Sequence, residues 1–143
     1  ADNIGMVARA MANFGLDDLR LVAPRDGWPN EKARIAASGA NYVIDDAAAY
    51  PSLETALGDL TYVVATTARQ RPLKKPVLTP EDAVAALRER IARGERCGIL
   101  FGRERNGLET GELANADALV MLPVNSRSVS SIRSRSALLW SKT

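Results

Sequence analysis

Short apolar runs alternate along this chain with segments of helical periodicity, and that alternation limits the folds open to it. Each apolar run has the length and residue types of a buried strand. The predicted strands cover residues 19–23, 60–67, 97–101 and 118–122, with a strand fragment at Tyr42–Ile44. The predicted helices cover residues 3–14, 31–38, 52–57 and 80–93, and a short helix begins near residue 109. This order predicts one α/β domain over residues 1–143, with a mainly parallel sheet and helices on both faces.

The helix boundaries have clear local signals. Thr79 is the predicted N-cap of the fourth helix, and Pro80 takes the first helical position, where a missing N–H costs nothing. Gly15 and Gly94 are predicted to end the helices that precede them. The basic, proline-containing stretch 68–80 is predicted to be a loop.

The residue types present exclude several classes of enzyme. The chain has no histidine and a single cysteine, Cys97. It therefore cannot carry a Ser-His-Asp triad, a Cys-His dyad or an ordinary zinc site, and it cannot form an intrachain disulfide. A lack of disulfides fits a reducing, cytoplasmic compartment, and no apolar run is long enough for a membrane span. We expect no metal and no membrane partner.

Four motifs carry unusual chemistry, and three of them follow predicted strands, where open α/β sheets bind ligands. The first, Asn3-Ile4-Gly5…Arg9, puts a guanidinium one helical turn after a glycine, an arrangement that can hold a phosphate. The others are residues 65–71, 101–108 and 122–125. Taken singly, each is also typical of an ordinary solvated surface. Neither a P-loop nor a G-x-G-x-x-G fingerprint occurs, which disfavours nucleoside triphosphates and dinucleotides.

In register, the four motifs resemble those of the SpoU/TrmH family of ribose 2′-O-methyltransferases within the SPOUT superfamily, and its TrmJ-like tRNA methyltransferases most of all. The resemblance covers roughly residues 2–125. It implies an α/β domain whose C-terminal segment threads a trefoil knot, S-adenosyl-L-methionine bound in that knot, and a homodimer whose two subunits complete the active sites. It also implies methylation of a ribose 2′-hydroxyl in RNA, with tRNA and its anticodon loop as the leading substrate.

Carried over residue by residue, the resemblance assigns roles to particular positions. Arg9 is the expected catalytic arginine, Asn3 supports it, and Ser130 is the serine expected in the third motif, with a catalytic and a cofactor-binding role. The implied cofactor-binding residues are Thr66, Thr67, Ala68, Gly102, Glu104, Leu122 and Ser130. A guanidinium pKa above about 12 argues against Arg9 as a base, so we expect it to grip a phosphate and stabilise the forming alkoxide. The residues expected to contact the RNA backbone are Arg69, Arg71, Lys74, Lys75, Arg103 and Arg105.

Two departures separate the chain from the family pattern. The sequence opens inside the first motif, so it does not include the strand that family members carry before that motif. In the third motif Ser126 stands where the family has proline, and Ser131 and Ile132 stand where it has leucine and asparagine. Residues 126–143 also hold seven serines, against two in residues 1–125, together with four basic residues and no acidic one.

Two explanations of this break stay open. The helix expected from Ser131 onward would bury Arg133 and Arg135, and an unpaired buried arginine is strongly destabilising. A local sequence error over residues 126–136 would remove the conflict. A genuine but degenerate motif would bind the cofactor weakly, and the alternative function is then a catalytically inactive RNA-binding or dimerisation module of the same fold.

Overall fold

The structure, a computed structural model, describes residues 2–13, 15–68, 72–102, 108–121 and 137–140, with the backbone alone described at 2–3 and 137–140. The helices within these ranges are α1 (Asp2–Asn13), α2 (Glu31–Ala36), α3 (Asn41–Asp45), α4 (Leu53–Leu57), α5 (Pro80–Ala92) and α6 (Thr110–Leu113). The strands are β1 (Asp18–Val22), β2 (Ala48–Tyr50), β3 (Tyr62–Thr67), β4 (Val77–Leu78), β5 (Cys97–Leu100), β6 (Ala118–Met121) and β7 (Ala137–Trp140).

These strands form one sheet in the order β2-β1-β7-β5-β3-β6-β4. β1 is parallel to β2, β3 is parallel to both β5 and β6, and β4 is parallel to β6. β7 is antiparallel to both of its neighbours. Its Leu139 pairs with Leu19 of β1 on one side and with Ile99 of β5 on the other. The described sheet is therefore mainly parallel, as predicted, with an antiparallel strand between β1 and β5.

Alternate residues of the strands face helices on opposite sides of the sheet, as the two-residue period of a strand requires. Val64 of β3 lies in the same core cluster as Ala83 of α5. Its neighbour Val63 lies instead in the cluster that contains Leu53 of α4 and Leu113 of α6. The predicted α/β arrangement with helices on both faces is confirmed.

α1 covers β1 and runs back along it. Its apolar face shares a core cluster with Leu19 and Leu21 of β1, through residues that include Ile4, Ala8 and Met11. The connection from α1 to β1 spans only residues 14–17, so the helix has to run antiparallel to the strand on which it packs. The amino-terminal turn of α1 consequently lies toward the carboxyl end of β1.

Side-chain caps fix the start of several helices. Asn30 accepts a hydrogen bond from the backbone N–H of Lys32 at 3.0 Å, before α2. Thr79 Oγ1 accepts one from the N–H of Asp82 at 3.2 Å, and Pro80 opens α5. Such caps satisfy N–H groups that have no partner inside the helix. The predicted helices that correspond to α2, α4 and α5 are confirmed.

Three expectations about short segments are wrong. Residues Tyr42–Ile44 do not form a strand but lie in the helix α3, with Val43 and Ile44 buried, because three apolar residues carry too little periodicity to separate the two structures. The stretch predicted as a loop at 68–80 contains β4. The helix expected from Ser131 onward does not extend through Ala137–Trp140, which forms β7. Strand β2 was not predicted from the sequence.

An ionic cluster around the buried Arg20 ties β1 to the segment that follows α4. Arg20 of β1 is 5% exposed, and its guanidinium donates to both carboxylate oxygens of Asp59, to the carbonyl of Ala56 at 2.8 Å and to Asp18 at 3.2 Å. Asp59 also pairs with Arg96 at 3.0 Å. The hydrogen bond between Arg20 and Asp59 raises the pKa of Arg20 and lowers the pKa of Asp59. Asp59 precedes β3, so this cluster lies toward the amino ends of the strands.

Candidate active site

The carboxyl ends of β3, β5 and β6 lie side by side in the sheet. Ala65 of β3 pairs with Leu100 of β5, and Thr67 of β3 pairs with Met121 of β6. Thr67 therefore lies at the same edge as the segment after β5, which contains Gly102. The structure thus brings together two segments that the sequence analysis assigned to one site. We call this region, residues 65–68, 100–102 and 119–121, the central carboxyl edge.

The two threonines at the end of β3 have different surroundings. Thr66 Oγ1 donates a hydrogen bond to the carbonyl of Leu100 at 3.2 Å, so it links β3 to β5 while its oxygen can still accept. Thr67 is only 7% exposed. Ala68 is exposed and Gly102 is half-buried. Thr66, which is half-buried, therefore stands at the boundary between the core and solvent, whereas Thr67 belongs to the core.

The central carboxyl edge carries no charged side chain. The first residue of each of its three segments, Ala65, Leu100 or Leu119, belongs to the apolar core. Backbone N–H and C=O groups become available where the ladders of a sheet end. Neutral polar groups above an apolar floor suit a nucleoside.

Arg9 does not belong to the central carboxyl edge. It is exposed on α1, and α1 packs on β1. In the sheet order β1 is three strand spacings from β3, about 14 Å. The structure does not bring Arg9 beside Thr66 and Thr67 within one chain. Asn3, in the first turn of α1, belongs to the same helix as Arg9.

Lys75, which we expected to contact RNA, is engaged inside the domain. Its ammonium group donates to the carbonyl of Ala114 at 3.0 Å and also to the carbonyl of Ala116. Both carbonyls follow α6, where a cation is favoured by the orphan carbonyls and the helix dipole. Lys75 is therefore engaged within the domain, whereas Lys74 is exposed, and contact of either residue with RNA stays a prediction.

Several predicted site residues lie outside the described part of the chain, so their roles stay predictions. They are Arg69, Arg71, Arg103, Glu104, Arg105, Leu122 and Ser130, together with the side chain of Asn3. The described residues next to them, Ala68, Gly102 and Met121, all belong to the central carboxyl edge.

Other reactive or metal-binding centres are not found among the described residues. Burial raises the pKa of the Cys97 thiol, which disfavours the nucleophilic thiolate. No group of three or more Cys, Asp or Glu side chains in the described ranges could hold a metal ion. None of the described helices is long and apolar enough to cross a membrane.

An α/β domain with such an edge falls in the broad class of folds that bind ligands at the carboxyl ends of parallel strands. Within that class the chain belongs to the SpoU rRNA Methylase family, whose sequence profile matches residues 1–132.

The chain is also similar to individual proteins and solved structures. The tRNA (cytidine-2'-O-)-methyltransferase TrmJ of Methanocaldococcus jannaschii is 36% identical over 128 residues, covering 87% of this chain and 54% of that protein. The crystal structure of TrmJ from Z. mobilis ZM4 matches with a TM-score of 0.82 and 53% identity, over 90% of this chain and 56% of that one. A structure concerned with the 2-OH methylation of C/U34 on tRNA matches with a TM-score of 0.60 and 25% identity, over 92% and 79%. The chain spans about half the length of the curated relatives it matches.

Proposed function

We propose that this protein transfers a methyl group from S-adenosyl-L-methionine to a ribose 2′-hydroxyl of tRNA. The observation that carries the proposal is the convergence of Thr66, Thr67 and Gly102 at the central carboxyl edge of a SpoU-family chain. The Methanocaldococcus jannaschii relative is named as a tRNA 2'-O-methyltransferase, and the structure concerned with C/U34 supports the anticodon loop as the target region.

The described residues fit the cofactor. By resemblance, Thr66, Thr67 and Ala68 would line its pocket, and Gly102 would let a ligand approach the backbone because it has no side chain. Glu104 and Leu122 belong to the proposed pocket by resemblance. When bound, the cofactor supplies a methyl group that is already activated by the positive charge on its sulfur.

Arg9 is the residue we propose to act on the RNA. Its planar guanidinium can hold a phosphate through two parallel hydrogen bonds, which fixes the neighbouring ribose. Its positive charge then stabilises the 2′-oxygen while the hydroxyl proton leaves to phosphate or water. Asn3, in the first turn of the same helix, and Ser130 complete the proposed catalytic set.

We propose a homodimer because one chain does not assemble the whole site. Arg9 is on the helix that covers β1, about 14 Å along the sheet from β3. An arginine side chain cannot bridge that gap and still hold a phosphate. A second copy of the chain can supply its Arg9 to the central carboxyl edge of the first.

Four arginines adjoin the segments of the central carboxyl edge in the sequence. Arg69, Arg71, Arg103 and Arg105 would neutralise phosphates of the RNA, so binding should weaken steeply as salt concentration rises.

Met121 and Ala137 both lie at the carboxyl edge with β3 and β5 between them, an arrangement compatible with the implied trefoil knot. A tRNA substrate implies a cytoplasmic location.

The test is methylation of bulk tRNA from a strain that lacks the corresponding activity. The full chain and labelled S-adenosyl-L-methionine are incubated with this tRNA, which is then digested and analysed as nucleosides. We expect a labelled 2′-O-methylnucleoside, and we expect Arg9→Lys to lower the single-turnover rate at least tenfold, because lysine keeps the charge but lacks the planar fork. Full activity of Arg9→Lys would exclude the bidentate role.

The competing function is that of a catalytically inactive RNA-binding or dimerisation module of the same fold. Calorimetry with S-adenosyl-L-methionine separates the two functions, because an inactive module with a degenerate third motif would bind the cofactor weakly or not at all. Thr67→Val, which keeps the volume of the side chain but removes its hydroxyl, should weaken cofactor binding in the active protein. The exposed Thr110→Val is the matched control and should leave it unchanged.

A further inference from the structure

Gly5 of α1 touches the backbone of α2. A Cβ atom placed on Gly5 would lie 2.5 Å from the carbonyl oxygen of Ala33 and 2.6 Å from the Cβ of Ala36. Both distances are far below an ordinary van der Waals contact of about 3.5 Å or more. The two helices therefore cross at a point where no side chain larger than hydrogen fits.

The helix on the other side of this contact is held in place. Ala33 of α2 and its C-cap residue Ala37 are completely buried, Asn30 caps its first turn, and Arg34 pairs with Asp45 of α3 at 3.1 Å. α1 in turn is packed between α2 and the core of β1. A methyl group at position 5 would have to push α1 away from α2 by about 1 Å to restore normal contact distances.

Arg9 follows Gly5 by one helical turn, about 6 Å along the axis of the same helix. A displacement of α1 at Gly5 is therefore passed to the backbone of Arg9. Misplacement of a catalytic group by about 1 Å can lower a rate by about 100-fold.

We infer that Gly5 is a positioning residue that sets the location of Arg9 through backbone contact between α1 and α2. This inference rests on the proposed function, in which Arg9 holds the RNA. It also gives the glycine of the first motif a role in packing against a helix instead of against a ligand.

The test compares Gly5→Ala, Arg9→Ala and the double variant in the full chain, below the unfolding temperature of each. We expect Gly5→Ala to lower the single-turnover rate at least tenfold, with cofactor affinity within about twofold of the parent, because α1 lies away from the cofactor edge. We expect the double variant to be no slower than Arg9→Ala, since both changes act through one group. Ala85→Gly, at an exposed position of α5, lowers stability without touching α1 and should keep the parent rate.

A second readout does not depend on activity. The side-chain Nε–H resonance of Arg9 and the amide resonances of α1 should shift in Gly5→Ala, while those of β3 and β6 stay unchanged. If Gly5→Ala does not fold, Ala36→Ser crowds the same contact more mildly and should shift the same resonances.

An unmoved Arg9 resonance, an unchanged rate in the folded variant or rate losses that multiply in the double variant would each overturn the inference. The proposed function fails separately, when the parent protein makes no 2′-O-methylnucleoside. In that case the resonances still decide whether Gly5 positions Arg9.

Discussion

At the scale of single residues, Asp59 makes stability depend on pH. Its hydrogen bond from Arg20 lowers its pKa in the folded protein below the usual value near 4. Because the unfolded chain binds the proton at higher pH, the contribution of Asp59 is present above about pH 4 and is lost as pH falls through the lowered pKa. We predict that Asp59→Asn lowers the free energy of unfolding by about 1–2 kcal/mol at pH 7, since Asp59 is partly exposed.

Urea unfolding at several pH values measures this effect. The difference between the parent and Asp59→Asn should shrink as pH falls below about 4. Asp26→Asn removes the exposed pair with Arg25 and is the control, which should leave stability close to that of the parent. A difference for Asp59→Asn that is constant with pH would contradict the argument.

Lys74 and Lys75 are adjacent lysines with different predicted effects. Lys75→Met removes hydrogen bonds to two carbonyls after α6, so we expect the free energy of unfolding to fall by about 1–2 kcal/mol. We expect the salt dependence of tRNA binding to stay unchanged in this variant. Lys74→Met is the matched comparison and should change stability by less than about 0.5 kcal/mol. Chemical unfolding and filter binding over a range of salt concentrations measure the two effects.

At the scale of elements, α5 depends on its cap. Thr79 Oγ1 accepts from the N–H of Asp82, and alanine at position 79 would leave that donor to solvent. We predict that Thr79→Ala lowers the free energy of unfolding by about 1 kcal/mol, and that Thr79→Ser stays close to the parent because it keeps the hydroxyl. Urea unfolding compares the three proteins. Equal stability of all three would show that the cap contributes nothing.

Elements with local signals could be predicted from the sequence, and those that depend on distant partners could not. α5 has a cap, a proline and a closing glycine within one segment, so its bounds were close to those observed. Residues 77–78 and 137–140 are too short to show a period, and they become strands because β6, β1 and β5 pair with them. Tyr42–Ile44 could satisfy either period, and packing of Val43 and Ile44 in the core decides for a helix.

The candidate site follows the same distinction. Thr66, Thr67 and Gly102 each follow an apolar run, so the rule for parallel sheets predicted that they meet. The engagement of Lys75 depends on carbonyls 39 and 41 residues away, and that of Arg20 on a carboxylate 39 residues away. The contact of Gly5 with α2 likewise needs the crossing of two helices, which no local pattern specifies.

At the scale of the whole molecule, β7 joins two halves of the sheet. It separates β2 and β1 on one side from β5, β3, β6 and β4 on the other, and it pairs with both. We predict that deletion of residues 137–143 abolishes the single cooperative unfolding transition, because the strand edges of β1 and β5 lose their partner. Deletion of 141–143 alone is the control and should preserve it. Unfolding followed by circular dichroism tests this, and an intact transition after the longer deletion would refute it.

The direction of β7 also decides where the protein can be handled. Since Trp140 pairs with Asp18, at the start of β1, the strand leaves the sheet at the rim opposite Thr67 and Gly102. A tether attached beyond Trp140 would anchor the molecule to a sensor chip by its far side. The rim that holds the threonines would then face the solution, open to a molecule as large as tRNA.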